Sequence, residues 1–291
     1  MSFRLKTTTA IDDQLARIVT REVRKAAEKA DEAPRETSIH DARQHIKKAR
    51  SVLHLLRAAL GGDYAELNDS LRSAANRMSG ARDADALVPL MTSLSGRYHG
   101  AMTPGALRQA NATLKARRRE AHAKLRGRRL ADITHTLERS RRRVRSSVWS
   151  VATRRNVRRG ITDGYRRARR AMAEAADAGT SDALFHAWRR RLKDHWYQMR
   201  LVEGINARAS ARVGSLKQLQ NWLGEDHNLV LLRAAILAHP RQFGDSQTVD
   251  AMLGCIDKRL AALRSRALRR GRRLFSGKPS AFGKDIRRAW A

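Results

Sequence analysis

Along the 291 residues, apolar side chains recur at spacings of three and four, and no alternating apolar–polar run lasts more than a few residues. Strands that bury one face need a period of two, whereas this spacing follows the 3.6-residue turn of a helix. The pattern therefore predicts an all-α fold. The stretch from Ile39 to Leu56 shows it well. Ile39, Ala42, Ile46, Ala49, Leu53 and Leu56 form an apolar stripe, while His40, Arg43, Lys47, Arg50 and His54 line up along another side. A helix that buries one stripe and shows a row of cations on another is built to face something anionic.

The same pattern returns about 145 residues later. There His186, Arg189, Lys193, Tyr197 and Arg200 form the row, and Trp188, Leu192 and Met199 fall on the apolar side. A second echo keeps nearly the same offset: Met78-Ser79-Gly80-Ala81-Arg82-Asp83 matches Leu223-Gly224-Glu225-Asp226-His227-Asn228. Two matched segments at one offset predict a duplicated helical unit. The chain is read as a single domain of two helical halves, about 10–126 and about 150–270, around a shared basic surface.

Local signals place the helices. Thr9 with Asp12, and Ser38 with Asp41, resemble capping boxes, and Thr103-Pro104 puts proline at a first helical position. Asp182 is expected to cap the second cationic helix. Further helices are expected over about 211–223, about 226–238 and about 246–270, and a loop over 93–100. Residues 271–291 read as a basic, partly disordered tail. Arginine clusters between residues 117 and 170 are interrupted by Leu125, Ile133, Leu137 and Val144, so they read as helices with cationic faces rather than as a spacer.

Composition narrows the partners. With 61 Lys and Arg against 28 Asp and Glu, the formal net charge is +33, yet 42% of the residues are hydrophobic, enough for a real core. Charge of that size costs self-repulsion and implies a polyanionic partner. Nucleic acid, an anionic membrane and inorganic polyphosphate all satisfy it. A single cysteine, Cys255, rules out an internal disulfide framework and fits a reducing compartment. No apolar run reaches the ~20 residues that span a bilayer, and Met1 to Ala10 lacks the apolar core of a secretory signal. A cytoplasmic protein is the expectation.

The remaining chemistry is sparse. The histidines show no metal-ligand spacing, and no carboxylate cluster suits a metal-dependent phosphate enzyme. His40 and His186 read equally well as phosphate donors or as hydrogen bonds between helices; in the first case affinity should rise on acidification. Asp83 and Asn228 read as helix caps, Trp188, Trp196 and Trp222 as core, and Cys255 as a packed thiol.

A duplicated His-x-x-Arg-x-x-x-Lys-Lys-x-Arg helix, with the Arg82-Asp83 and His227-Asn228 segments downstream, resembles the CHAD family, the conserved histidine α-helical domain. The resemblance runs from about Leu15 to Arg270. It implies two bundles of long antiparallel helices related by a pseudo-twofold axis, and inorganic polyphosphate bound noncatalytically on the basic surface between them. His40, Arg43, Lys47, Lys48 and Arg50 match the family pattern in the first half, and His186, Arg189, Arg190, Lys193 and Tyr197 in the second. Asp194 and Trp196 depart from it, standing where many members carry arginine. Some relatives carry a CYTH-type triphosphatase domain with a Glu-x-Glu-x-Lys strand, which this sequence lacks, so a stand-alone binding module on polyphosphate granules is expected, with no cofactor, metal or catalytic residue. The alternative reading is a nonspecific nucleic-acid-binding protein of nucleoid type.

Overall fold

The computed structural model describes residues 3–6, 9–32, 37–177, 181–205 and 207–288, the side chains of 205 and 207–209 excepted. They form twelve α-helices and, among the described residues, no strand. In chain order these are α1 (Ile11–Asp31), α2 (Ser38–Leu55), α3 (Arg57–Leu60), α4 (Gly62–Arg77), α5 (Ser79–Arg97), α6 (Pro104–Ala123), α7 (Arg128–Ser146), α8 (Arg154–Asp177), α9 (Asp182–Leu201), α10 (Ala207–Ala238), α11 (Ser246–Leu274) and α12 (Pro279–Arg288).

Periodicity explains the elements, and caps explain some of their ends. Leu15, Ile18, Val19 and Val23 of α1 are buried against α2, whose own stripe from Ile39 to Leu53 is fully buried. At α6, Thr103 Oγ1 accepts from the Ala106 N–H at 3.1 Å, as the Thr-Pro signal requires. The other two expected capping boxes do not form. Ala10 is the cap position of α1, and Ser38 lies inside the first turn of α2.

Two hydrophobic cores organise the packing, and neither follows the sequence halves. The larger gathers the stripes of α1, α2, α4, α7, α8, α9 and α12 with Val213, Leu216, Leu219 and Leu223 of α10. The smaller gathers Leu87, Met91 and Leu94 of α5, Ala110 and Leu114 of α6, Leu229, Leu232 and Ile236 of α10, and the first turns of α11. Each core draws on both halves because α2 packs on α9 and α5 on α10. α10 runs unbroken through both cores, although the sequence suggests two helices there. Its Gly224 stays helical, and the half-buried Trp222 packs against both cores.

Two other expectations fail for clear reasons. The predicted loop over 93–100 is helical as far as Arg97, held by the buried Leu94. Residues 271–288, read as a partly ordered tail, complete α11 and form α12; residues 289–291 lie outside the described ones. Phe282 stacks on Tyr165 of α8, ring centroids 4.2 Å apart, with the Arg212 guanidinium 4.9 Å from its ring. Basic residues around Phe282 and Ile286 hid that apolar face.

One glycine sets a helix crossing. A Cβ on Gly160 of α8 would lie 2.1 Å from the carbonyl oxygen of Leu55, so α8 can seat on the end of α2 only with hydrogen there.

Candidate functional site

The cationic rows of α2 and α9 meet where the two cores join. The first turn of α5 supplies Arg82 and Asp83 there, between the larger core at Ala81 and the smaller at Leu87. α10 supplies His227 and Asn228 at the same level, between Leu223 and Leu229. Arg82 Nη1 donates to Asn228 Oδ1 at 3.3 Å, tying the two crossings together. Asn228 is therefore an interhelical acceptor in the middle of α10, not a helix cap.

Into this junction α2 sends His40, Arg43 and Lys47, and α9 sends His186, Arg189 and Lys193. Their charges act on one another. The Lys47 ammonium is pushed well down, first by burial and then by Lys193, Arg43, Arg189 and Arg82. Lys193 falls to about 7 by burial, then by Arg189, Arg82 and Arg43. Arg189 falls to about 10 by burial and the neighbouring Arg82. Repulsion of this kind is normally relieved by carboxylates. Here Asp83 lies 3.6 Å from the Arg82 guanidinium, and Asp194 offsets the charge of Lys193 only in part.

The cations are also short of hydrogen-bond partners. Arg43 donates through Nη1 to the carbonyl of Ala75, but its Nε and the Nε of Arg189 are buried without an acceptor. Among the described residues, Lys47, Lys193 and Arg189 make no ion pair or side-chain hydrogen bond; Lys193 Nζ lies 5.9 Å above the Tyr197 ring. Buried donors without acceptors cost stability, and a ligand that brings oxygens would satisfy these two.

The histidines are all shifted toward their neutral form. His186 and His227 share a hydrogen bond, Nδ1 to Nδ1 at 3.0 Å, in which one ring donates and the other accepts. His227 is held down to about 3 by burial, Arg189 and His186, and His186 and His40 are lowered by burial and their cationic neighbours. His40 is exposed at the rim.

Lys48 and Arg50 stand apart from the cluster. Lys48 turns to α1, 3.7 Å from Glu22, which also meets His45 Nδ1 at 2.6 Å. Arg50 Nε donates to Asn68 Oδ1 at 3.0 Å, beside the Asp194–His54 pair at 3.1 Å. Arg190 is exposed, its charge felt by His186. Tyr197 is buried and offers Lys193 its ring; its edge-on contact with Phe3 and its hydroxyl belong to the core. The departing Trp196 is core as well, with Arg200 stacked 5.1 Å from its ring. One-residue steps on a helix turn a side chain by 100°, which is why Lys47 and Lys48 part company.

Arg82 and His227 complete the site although the cationic rows do not contain them. The signal available in the sequence was the second pair of matched segments, which keeps nearly the same offset as the cationic rows. Asp182, expected as a cap, instead joins Arg233 and Arg264, both at 2.5 Å, while Arg264 also binds Asp226 at 2.7 Å. A separate cavity of about 550 Å³ opens between α5, α6 and α7. Of its cations, Lys124 is paired with Glu120 and Arg117 donates to the carbonyl of Ala235. No three His, Cys, Asp or Glu side chains converge as metal ligands among the described residues, and none of the helices is long and apolar enough to cross a membrane.

The CHAD domain family matches residues 9–237. Two solved structures share the fold. A crystal structure of the CHAD domain from the plant Ricinus communis has a TM-score of 0.66 at 20% identity, covering 94% of each chain. PptA from Streptomyces chartreusis has a TM-score of 0.63 at 17% identity, covering 92% of this chain and all of that one. No curated protein matches the chain in sequence.

Proposed function

The chain belongs to the CHAD domain family, and from that premise we propose that it binds inorganic polyphosphate without transforming it, through the cluster of Arg43, Lys47, Arg82, Arg189 and Lys193 with His40 and His186 at its edge. The observation that carries this reading is that Lys47, Lys193 and Arg189 lie half-buried together with no ion pair or side-chain hydrogen bond among the described residues, and that the Nε of Arg189 and of Arg43 lack acceptors. Polyphosphate carries about one charge per phosphate and no bases, so it needs closely spaced donors and nothing that reads a base edge. Rows on two packed helices, with neighbours about 5–6 Å apart along each, supply them from two sides. Arginine can take two phosphate oxygens at once. The protein would hold the chain by exchanging its counterions for fixed cations, and would gather on polyphosphate granules.

Calorimetric titration with polyphosphate of defined length, and with duplex DNA of matched charge at about 0.15 M salt, tests the proposal. Polyphosphate should bind with a stoichiometry that Arg43→Ala with Arg189→Ala abolishes, and DNA should fail to displace it. Equal affinity for both ligands, falling together as salt rises, would assign the charge a generic role instead.

A further inference from the structure

We propose that the small cavity where α8 meets the end of α2 is a second anion site, which takes a terminal phosphate, the doubly ionised end of a phosphate chain. The cavity stands on its own geometry; that polyphosphate supplies the chain end rests on the function proposed above.

One face of α8 builds the first wall. Asn156, Arg159, Asp163 and Arg167 recur at spacings of three and four, so they stand above one another along the helix. The close approach of Gly160 to the Leu55 carbonyl seats that face on the end of α2. The opposite wall is His54, the last of the α2 row, and Arg57 of α3. The cavity between them holds about 200 Å³, below the roughly 300–1,000 Å³ of sites for drug-sized ligands, so it suits a compact group. Three guanidiniums line it, and none has an acceptor. Among the described residues Arg57, Arg159 and Arg167 make no ion pair or hydrogen bond; Arg57 only lies 5.5 Å from the Tyr64 ring. The nearby carboxylates are engaged elsewhere, Asp163 by Arg166 and Asp194 by His54 at 3.1 Å. Burial of Arg167, together with the charges of Arg191 and Arg57, outweighs what those carboxylates offer it.

The chemistry of the cavity favours an end over an interior phosphate. A terminal phosphate carries about −1.5 to −2 charges and presents three acceptor oxygens, whereas a phosphate inside a chain carries about one charge and has fewer free oxygens. Guanidiniums arriving from two walls suit the first, because each can take two oxygens at once. His54 lies seven residues beyond Lys47 in the same row, which is about 10 Å along the helix axis. A chain gripped at the junction therefore reaches the cavity by following α2 past Arg50. The protein would hold such a chain by its end as well as by its flank.

The test titrates the full chain at pH 7.5 and about 0.15 M salt with pyrophosphate, with linear polyphosphate of defined length, and with the same polyphosphate blocked at both ends as methyl esters. The linear chain should bind about tenfold tighter than the blocked one. That difference should vanish in Arg159→Ala with Arg167→Ala, while affinity for the blocked chain stays unchanged. Arg57→Ala, at an exposed position, should shrink the difference without disturbing the fold. Equal measurable affinity for the two chains, or a difference that survives in the double variant, overturns the proposal. Pyrophosphate, two terminal phosphates joined, should still bind Arg43→Ala with Arg189→Ala protein, and should lose that binding when Arg159→Ala and Arg167→Ala are added. Pyrophosphate bound in this way, with no affinity for either long chain, would keep the cavity as a terminal-phosphate site and count against the polyphosphate reading, so the two ideas fail separately.

Discussion

Two groups of arginines pack against α10, one on α11 and one where α2, α5 and α9 meet, and they are treated in opposite ways. On α11, Arg264 is buried between Asp226 and Asp182, and Arg259 holds Glu225 through two bonds of 2.6 and 2.9 Å. Arg264's hold on its proton is strengthened overall: burial works against the charge, and its bonds to Asp226 and Asp182 outweigh it. Arg189, on α9, is half-buried among like charges and its hold is weakened. Both groups look alike in the sequence. What separates them is whether a carboxylate from another helix arrives at the guanidinium, and that is decided by packing. The paired group fastens helices, and the unpaired group spends stability to keep donors available.

The sharpest way to break that contrast is to remove the fastening arginine. Arg264→Leu leaves Asp226 buried without its partner, while Asp182 keeps Arg233, and should cost about 3–5 kcal/mol in urea unfolding, the usual penalty for orphaning a buried charge. A loss below about 1 kcal/mol would mean that the pair contributes no more than a surface bridge.

Arg189→Met should do the reverse. Polyphosphate affinity should drop by about 1–3 kcal/mol, the range for charge-assisted hydrogen bonds, while the unliganded protein unfolds at a higher urea concentration. Lower stability in the free variant would show that Arg189 is structural after all.

Titration sharpens the comparison further. Lys193 releases its proton near pH 7 when folded, against an ordinary 10.5, so between those values the unfolded chain holds more protons. The contribution of Lys193 to stability should therefore rise with pH from about 7 to 10, where a salt-bridged lysine's would fall. An anion restores the ammonium, so binding near pH 8 should take up protons, seen as a heat that varies with the ionisation enthalpy of the buffer. Buffer-independent heats would place no neutral lysine in the site. The expectation for His40 and His186 changes accordingly: burial and cationic neighbours lower both, so the acid-side gain in affinity should come first from Lys193.

The smallest effect is expected at Lys48. Because it faces Glu22 on α1, Lys48→Met should leave polyphosphate affinity within about 0.5 kcal/mol. A larger loss would extend the binding surface around α2 toward Phe3 and Arg200.

The helices and their buried faces were legible in the sequence because periodicity is a local property. Ile39 to Leu53 and Trp188 to Met199 are buried as their spacing requires. The centre of the site was legible for the same reason, since Arg43 and Lys47, like Arg189 and Lys193, are one helical turn apart. The failures are all questions of what a residue meets from elsewhere. Nothing local says that Asp182 will find Arg233 and Arg264 instead of its own helix end, that Asn68 will come to Arg50, or that Arg82 will reach across to Asn228. Likewise, the tail could not be read as a helix until Tyr165 and Arg212 were seen to receive Phe282.

α10 carries one more consequence. It is a continuous helix of 32 residues with one end in each core and the cation cluster at the passage between them. Neither core can melt alone without fraying a rod that the other still grips, so the two should unfold as one cooperative unit. A ligand seated at the passage would then stabilise regions it never touches. Protection against amide exchange should rise together at Leu216 and at Leu232, on opposite sides of the occupied junction.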